Sequence, residues 1–179
     1  MNIGDRIMIL GSGGSGKSTL ATQLGALTNL PVIHLDRLFW NAGWVETPKD
    51  EMSAKVIAAA NEDSWIIDGN YSRTLDYRIK RASCVIFLDR GRCFCICRVI
   101  RRWLRNRGRT RPDMAEGCPD KMDMEFLKFL WSFPKRGRLN IISSLAEIDS
   151  ENNGGKLVLH FKKQREIDAF LAAIRSVIS

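Results

Sequence analysis

The chain has 179 residues, 45% hydrophobic and 27% charged, the size and balance of one soluble globular domain that buries its core without staples. No apolar run approaches the ~20 residues a membrane helix needs, and Ile7–Leu10 is too short for a signal peptide and opens into glycines. An odd set of five cysteines fits a thiol-reduced, cytoplasmic protein, so secreted, transmembrane and fibrous classes are excluded on this reading.

The net charge of +8 suggests a polyanion partner. Residues 90–111 hold nine arginines and no acid, leaving 19 of the 28 basic residues to set against 20 acidic ones elsewhere. The whole excess sits in one segment. A nucleotide's phosphates or a nucleic-acid backbone would each suit it.

In chain order, short apolar runs alternate with longer helical patterns, the rhythm of parallel βαβ units. Strands are expected at Ile7–Leu10, Val32–Leu35, Trp65–Asp68, Val85–Leu88 and Leu157–Phe161, each nearly all apolar as strands covered on both faces are. Helices are expected over 17–28, 49–61, 73–81, 91–106, 123–133, 135–147 and 164–177, with Pro134 parting two of them. Two stretches lack clear periodicity, 37–48 with its tryptophans and 107–122 with Arg, Gly and Pro. Long irregular loops in a compact domain are often lids or binding loops.

The strongest signal is Gly11-Ser12-Gly13-Gly14-Ser15-Gly16-Lys17-Ser18, a full G-x-x-x-x-G-K-[ST] match between a strand and a helix that continues through Thr19. Glycines let backbone N–H groups wrap a phosphate where side chains would obstruct it. The helix adds the positive end of its dipole. Lys17 places a charge on the β/γ-phosphates and the Ser18 hydroxyl can ligate Mg²⁺. Such a chain binds a nucleoside triphosphate, read as ATP.

Three aspartates end strands, at the sheet edge where ligands gather. Asp36 can accept a proton from a substrate hydroxyl or hold a metal-bound water, a helix cap being the plainer role. Asp68 can support Mg²⁺, and Gly69 behind it would let a ligand approach the backbone. Asp89 fits a structural role equally well. On a helix over 93–105, Arg98, Arg101, Arg102 and Arg105 form one stripe, which makes sense when an anion faces it. Cys93, Ile96, Cys97, Ile100, Trp103 and Leu104 share the other face, where Cys93 and Cys97 read as buried small thiols rather than metal ligands. Arg107-Gly108-Arg109-Thr110-Arg111-Pro112 reads as a mobile basic flap. Phe39, Trp40 and Trp44 stack on a base or sugar, or else pack a subdomain. His34 and His160, both within strands, read as structural.

On the glycine-rich loop, His34-Leu35-Asp36-Arg37-Leu38-Phe39-Trp40, Trp65-Ile66-Ile67-Asp68-Gly69-Asn70-Tyr71 and Arg107–Asp113, the chain resembles P-loop kinases of the adenylate-kinase/shikimate-kinase kind. It resembles the bacterial DNA topology modulation proteins more closely. The resemblance implies a single three-layer α/β domain over 1–179, with helices on both faces of a five-stranded parallel sheet in order 2-3-1-4-5. It implies a substrate segment at about 37–62 and an arginine lid at about 107–122. Asp68, Gly69 and Arg73 match the family's substrate-side position. Asp36-Arg37, with Trp40 beyond, replaces the Thr/Gly-rich turn of nucleotide monophosphate kinases, and an aspartate there suits a hydroxyl acceptor.

Two functions fit these residues. The first is a kinase using ATP and Mg²⁺ on a small-molecule acceptor, with Lys17, Asp36, Arg98, Arg102, Arg105 and Arg109 in the chemistry, Asp36, Arg37, Trp40, Asp68, Gly69 and Arg73 on the acceptor, and Ser18 and Asp68 on the metal. The second is an ATP-binding regulator gripping DNA through 98–111. The first is preferred because the stripe falls where a lid belongs and no DNA-reading module is present. A monomer without membrane contact is expected.

Overall fold

The structure is a computed structural model that describes residues 3–106, 108–150 and 156–178. In chain order the elements are β1 (Arg6–Gly11), α1 (Lys17–Thr28), β2 (Val32–His34), α2 (Leu35–Phe39), β3 (Trp40–Asn41), β4 (Val45–Glu46), α3 (Lys49–Asn61) and β5 (Trp65–Asp68). Then come a 3₁₀ turn (Ser72–Thr74), α4 (Leu75–Arg81), β6 (Cys84–Leu88), α5 (Arg92–Asn106), α6 (Met124–Ser132), α7 (Gly137–Ser150), β7 (Leu157–Phe161) and α8 (Gln164–Ile178).

Five strands form one parallel sheet in the order β2-β5-β1-β6-β7, which is 2-3-1-4-5 when only these five are counted. Parallel neighbours require crossovers, and the helices that supply them cover both faces. The two-residue strand period divides the core. Ile7 and Ile9 pack with Leu20 and Leu24 of α1 and Phe170 and Ile174 of α8. Met8 and Leu10 face the other way, onto Met52 and Val56 of α3, Ile79 of α4 and Ile141 of α7. Each large apolar side chain buried this way contributes ~1.5–3 kcal/mol.

Local chemistry sets the helix ends. Asn29, at φ 58°, ends α1 in the left-handed conformation while its N–H bonds the Gly25 carbonyl. Asp123 caps α6 by accepting the Phe126 N–H at 2.8 Å. Pro134 lies in a 3₁₀ turn, Phe133–Lys135, between α6 and α7, because its ring cannot continue the first helix.

Several expectations need correction. The second strand stops at His34, and Leu35 opens α2, so Asp36 lies in a helix's first turn rather than at a strand's end. A carboxylate is favoured there by the helix dipole, and Leu35 buries itself beneath Gly69. The 37–48 stretch is ordered: residues 37–39 finish α2 and β3 pairs antiparallel with β4. Buried Thr47 holds this segment, its N–H donating to the Phe39 carbonyl at 2.7 Å and its hydroxyl to the Leu38 carbonyl at 2.8 Å.

Cys93 and Cys97 are exposed, and Cys95 is the buried thiol of that trio. Helix α5 turns Cys95 and Val99 inward, with the arginines toward the glycine-rich loop. Its predicted apolar face is thereby forced outward, leaving Leu104 62% exposed. Arg107, the first residue of the expected flap, lies outside the described residues.

Candidate functional site

The loop joining β1 to α1 is shaped by its glycines. Gly11, Gly14 and Gly16 have φ of 147°, 76° and 105°, a region that side chains rarely allow. A Cβ on Gly11 would sit 2.7 Å from the Leu88 carbonyl, and one on Gly14 would run into the Cys95 carbonyl. The loop therefore lies close to α5. On its other side Gly13 meets α6, where a Cβ would stand 2.7 Å from Leu130 and 3.1 Å from Phe126. Lys17 Nζ donates to the Ser12 carbonyl at 3.2 Å. Ser15 Oγ is buried without a hydrogen-bond partner. A backbone turn held tight at its glycines, with a lysine at its rim, fits a phosphate.

The cradle opens on a cleft of ≈ 1610 Å³ at the carboxyl edge of the sheet. Gly13, Gly14, Gly16, Lys17, Ser18 and Thr19 line it from the loop and α1, while Gly11, Ser12 and Ser15 lie outside its lining. From α5 come Arg98, Arg101, Arg102 and Arg105. Arg98 reaches Gly16 itself: its guanidinium would lie 3.2 Å from a Cβ there. Phe94 receives the guanidiniums of Arg90 and Arg98 at 5.0 and 5.6 Å from its ring centre.

Asp36 opens onto the same cleft. Asp36 is exposed to the open cleft, yet the protein gathered around that cleft thins the water near it, which raises its pKa above the ordinary carboxylate value. Lys17 opposes the rise, Asp68 adds to it, and Arg111 and Asp113 act with opposite signs. The loop lysine, the α2 aspartate and an arginine from beyond α5 thus lie within one another's electrostatic reach.

Of the remaining predicted residues, Trp40 lines the cleft and meets Phe39 and Trp44 edge-on at 4.7 and 5.2 Å. Asp68 is buried and faces His34, whose Nδ1 lies 2.6 Å from Asp68 Oδ2, so it reaches the cleft through that imidazole. Gly69 lines the cleft, but its φ of 136° and a Cβ position 2.7 Å from Leu35 show that packing against α2, rather than ligand approach, demands glycine.

Three predicted residues lie outside. Arg37 is exposed on α2 away from the cleft wall. Arg73 is paired with Asp50 at 3.1 Å, and Arg109 is exposed, contributing its carbonyl to the Asp120 N–H at 2.9 Å. Helical spacing could not place Arg109, which follows the end of α5. Asp89 and His160 form a separate cluster, with Arg138 gripping Asp89 at 2.8 and 2.9 Å and His160 Nε2 at 2.9 Å.

Other residues had little sequence signal. Arg111 is nearly buried, donating to Asp113 at 2.8 Å, with Nε 3.5 Å from Asp120. Asp120 also receives Arg102 Nε at 3.2 Å. Arg78 is wholly buried and holds the turn after β5, donating to the carbonyls of Gly69, Asn70 and Tyr71 at 2.9, 2.7 and 2.9 Å. Burial lowers its pKa to about 9. The later part of the segment expected as a lid docks on the hairpin, with Gly43 N–H on the Gly117 carbonyl and Cys118 Sγ on the Asn41 carbonyl, both at 3.1 Å, and Lys121 over Trp44 at 4.7 Å. No helix among the described residues is long and apolar enough to cross a membrane.

No family model matches the chain, and no curated protein matches it. Among solved structures it is similar to a shikimate kinase from Bacteroides thetaiotaomicron, with a TM-score of 0.48 and 17% identity over 97% of this chain and 98% of that one. It is also similar to a gluconokinase from Sinorhizobium meliloti 1021, with a TM-score of 0.53 and 14% identity over 99% of this chain and 97% of that one. At that identity the gluconokinase likeness is one of fold, and it extends over the whole parallel-sheet architecture that carries the loop and its cleft.

Proposed function

We propose that this protein is a P-loop phosphotransferase that moves the γ-phosphoryl group of ATP to a hydroxyl of a small molecule. The observation that carries the reading is the convergence of Lys17 and Asp36 on one cleft, beneath the arginines of α5. A phosphate-gripping loop alone would serve any nucleotide-binding protein. A carboxylate within its lysine's field, at the acceptor side, suits proton removal from a hydroxyl. The gluconokinase-like fold supports the same class.

In this mechanism the loop amides and Lys17 orient the triphosphate. Arg98, Arg101 and Arg105 balance charge on the phosphoryl oxygens. Asp36 accepts the acceptor's hydroxyl proton as that oxygen bonds to phosphorus and the bond to the nucleoside diphosphate breaks. The docked segment after α5 excludes water. Mg²⁺, when bound, would screen the phosphates. Ser18 offers a hydroxyl to it, and no group of three or more acidic, His or Cys side chains among the described residues forms a protein metal cage. Such an ion would be held by Ser18 together with the nucleotide's own phosphates, as Mg²⁺ commonly is.

All four arginines of the stripe line this cleft beside the glycine-rich loop, which favours phosphotransfer over a DNA-binding regulator. A coupled assay for ADP release against a panel of hydroxyl compounds tests the proposal. Acceptor-stimulated turnover that Lys17→Ala and Asp36→Asn each abolish is expected. Full turnover in Asp36→Asn would remove the assigned base.

A further inference from the structure

The cleft is not uniform, and its two ends differ in charge and in polarity. Along α5, Arg98, Arg101 and Arg105 have no carboxylate within 4.0 Å among the described residues, so three positive charges stand uncompensated beside Lys17. Beyond Asp36 the balance reverses. Arg102 is held by Asp120, and Arg111 by Asp113 with Asp120 beside it, so both arginines that reach this end already face acids. Lys121, over Trp44, is paired with Asp123 at 3.3 Å, so three cations set against Asp36, Asp113, Asp120 and Asp123 leave no surplus charge to neutralise an anionic acceptor.

The wall at this end is apolar and aromatic. Phe39, Trp40, Trp44 and Tyr71 line it, with Met52 and Phe133 below. Tyr71 presents its ring more than its hydroxyl, because the O–H donates to the Lys49 carbonyl at 3.0 Å. A polyhydroxy acid would leave most of its oxygens unmatched against such a wall, and each unmatched polar group costs affinity. Aromatic faces and edges instead complement a planar ring.

Resting on the phosphotransfer reading, we propose that the acceptor is an uncharged, ring-bearing alcohol of the nucleoside or aromatic-alcohol class. Its ring lies against Trp40 and its neighbours, with its hydroxyl at Asp36. A phosphate monoester is disfavoured by charge and a sugar acid by the wall.

The test measures both ADP release and calorimetric binding, the latter with a non-hydrolysable ATP analogue present. Adenosine, thymidine and 4-hydroxybenzyl alcohol are compared with gluconate, shikimate, AMP and UMP. Ring-bearing alcohols are expected to bind and to stimulate turnover. Trp40→Leu, with its fold checked by thermal melting, should raise their KM about tenfold while kcat changes by less than about threefold.

Preferential use of a sugar acid or a monophosphate would overturn this acceptor class and leave phosphotransfer standing. Binding of no ring-bearing alcohol would overturn it as well. Trp40-dependent binding of those compounds without ADP release from any acceptor would instead overturn the phosphotransfer reading and keep the binding class.

Discussion

Asn70 grips Gly11 at both ends of one residue. Its Oδ1 accepts the Gly11 N–H at 3.0 Å and its Nδ2 donates to the Gly11 carbonyl at 2.8 Å. The turn after β5 is thereby locked to the first residue of the phosphate loop. Arg78 holds that same turn from beneath through three carbonyls. The turn after β5 and the glycine-rich loop form one hydrogen-bonded unit, although Asn70 and Gly11 are 59 residues apart.

Replacing Asn70 with alanine strips two bonds from a buried backbone unit, a loss of about 1–3 kcal/mol. The expected outcome is a fall in Tm of roughly 2–12 °C together with weaker ATP binding, since the loop loses its anchor. Thermal melts and ATP titration of Asn70→Ala check both. Unchanged ATP affinity would detach this clamp from function.

Gly14→Ala should be more severe for binding. The added methyl meets the Cys95 carbonyl, which is helix backbone and cannot give way, and the φ of 76° disfavours alanine as well. Loss of ATP binding beyond about tenfold is expected by isothermal calorimetry.

The base proposed here, Asp36, requires an ionised carboxylate, and the cleft raises its pKa above the usual 3.8. As pH falls through that raised value the carboxylate takes up a proton and turnover declines. The acid limb of kcat/KM should therefore lie above that of an exposed aspartate. Asp36→Asn should lower kcat roughly 10²–10⁴-fold and leave ATP binding intact. A profile flat down to the ordinary carboxylate range would contradict the assignment.

Asp89 predicts a pH dependence of stability. Burial raises its pKa, but hydrogen bonds from Arg138 and His160, with their charges, outweigh burial and hold it below the ordinary carboxylate value. Its folded pKa is thus depressed, so its contribution is present above the unfolded value of about 4 and is lost as pH falls through the folded one. Asp89→Asn should melt lower than the parent at pH 7, with the gap closing below about pH 4. An equal gap at both ends would refute the pairing.

Thiol titration reads the orientation of α5. Cys93 and Cys97 are exposed, whereas Cys84, Cys95 and Cys118 are buried, and burial pushes Cys84 up to about 12 and Cys95 above its usual value. Two thiols should react quickly with an aromatic disulfide reagent in the native protein, and five after unfolding. Five fast thiols at native pH would mean that α5 does not pack as described.

The strands, the glycine-rich loop and most helix bounds were legible because each depends on neighbours in the chain. Apolar runs, a spaced motif and a proline act through local sterics and short-range periodicity. Which face of α5 turns inward was not legible. An arginine stripe and an apolar stripe are both permissible outer faces until something packs against one of them, and here Gly14 and Gly16 bring the phosphate loop to the Cys95 and Arg98 side. The same holds for Arg78, one basic residue among several in α4, whose burial follows from a turn it does not adjoin in sequence. Arg73 and Arg109 looked equivalent to the arginines of the cleft, yet Asp50 takes one and the path of the chain after α5 carries the other outside. Sequence alone determined the parallel sheet and the glycine-rich turn between β1 and α1, since these are dictated by residues a few positions apart. Only the tertiary structure decided the charge and polarity of the acceptor end, because those arise where helix α2, the hairpin, the turn after β5 and the segment beyond α5 meet, and each pairing there spends a side chain that the sequence shows as free.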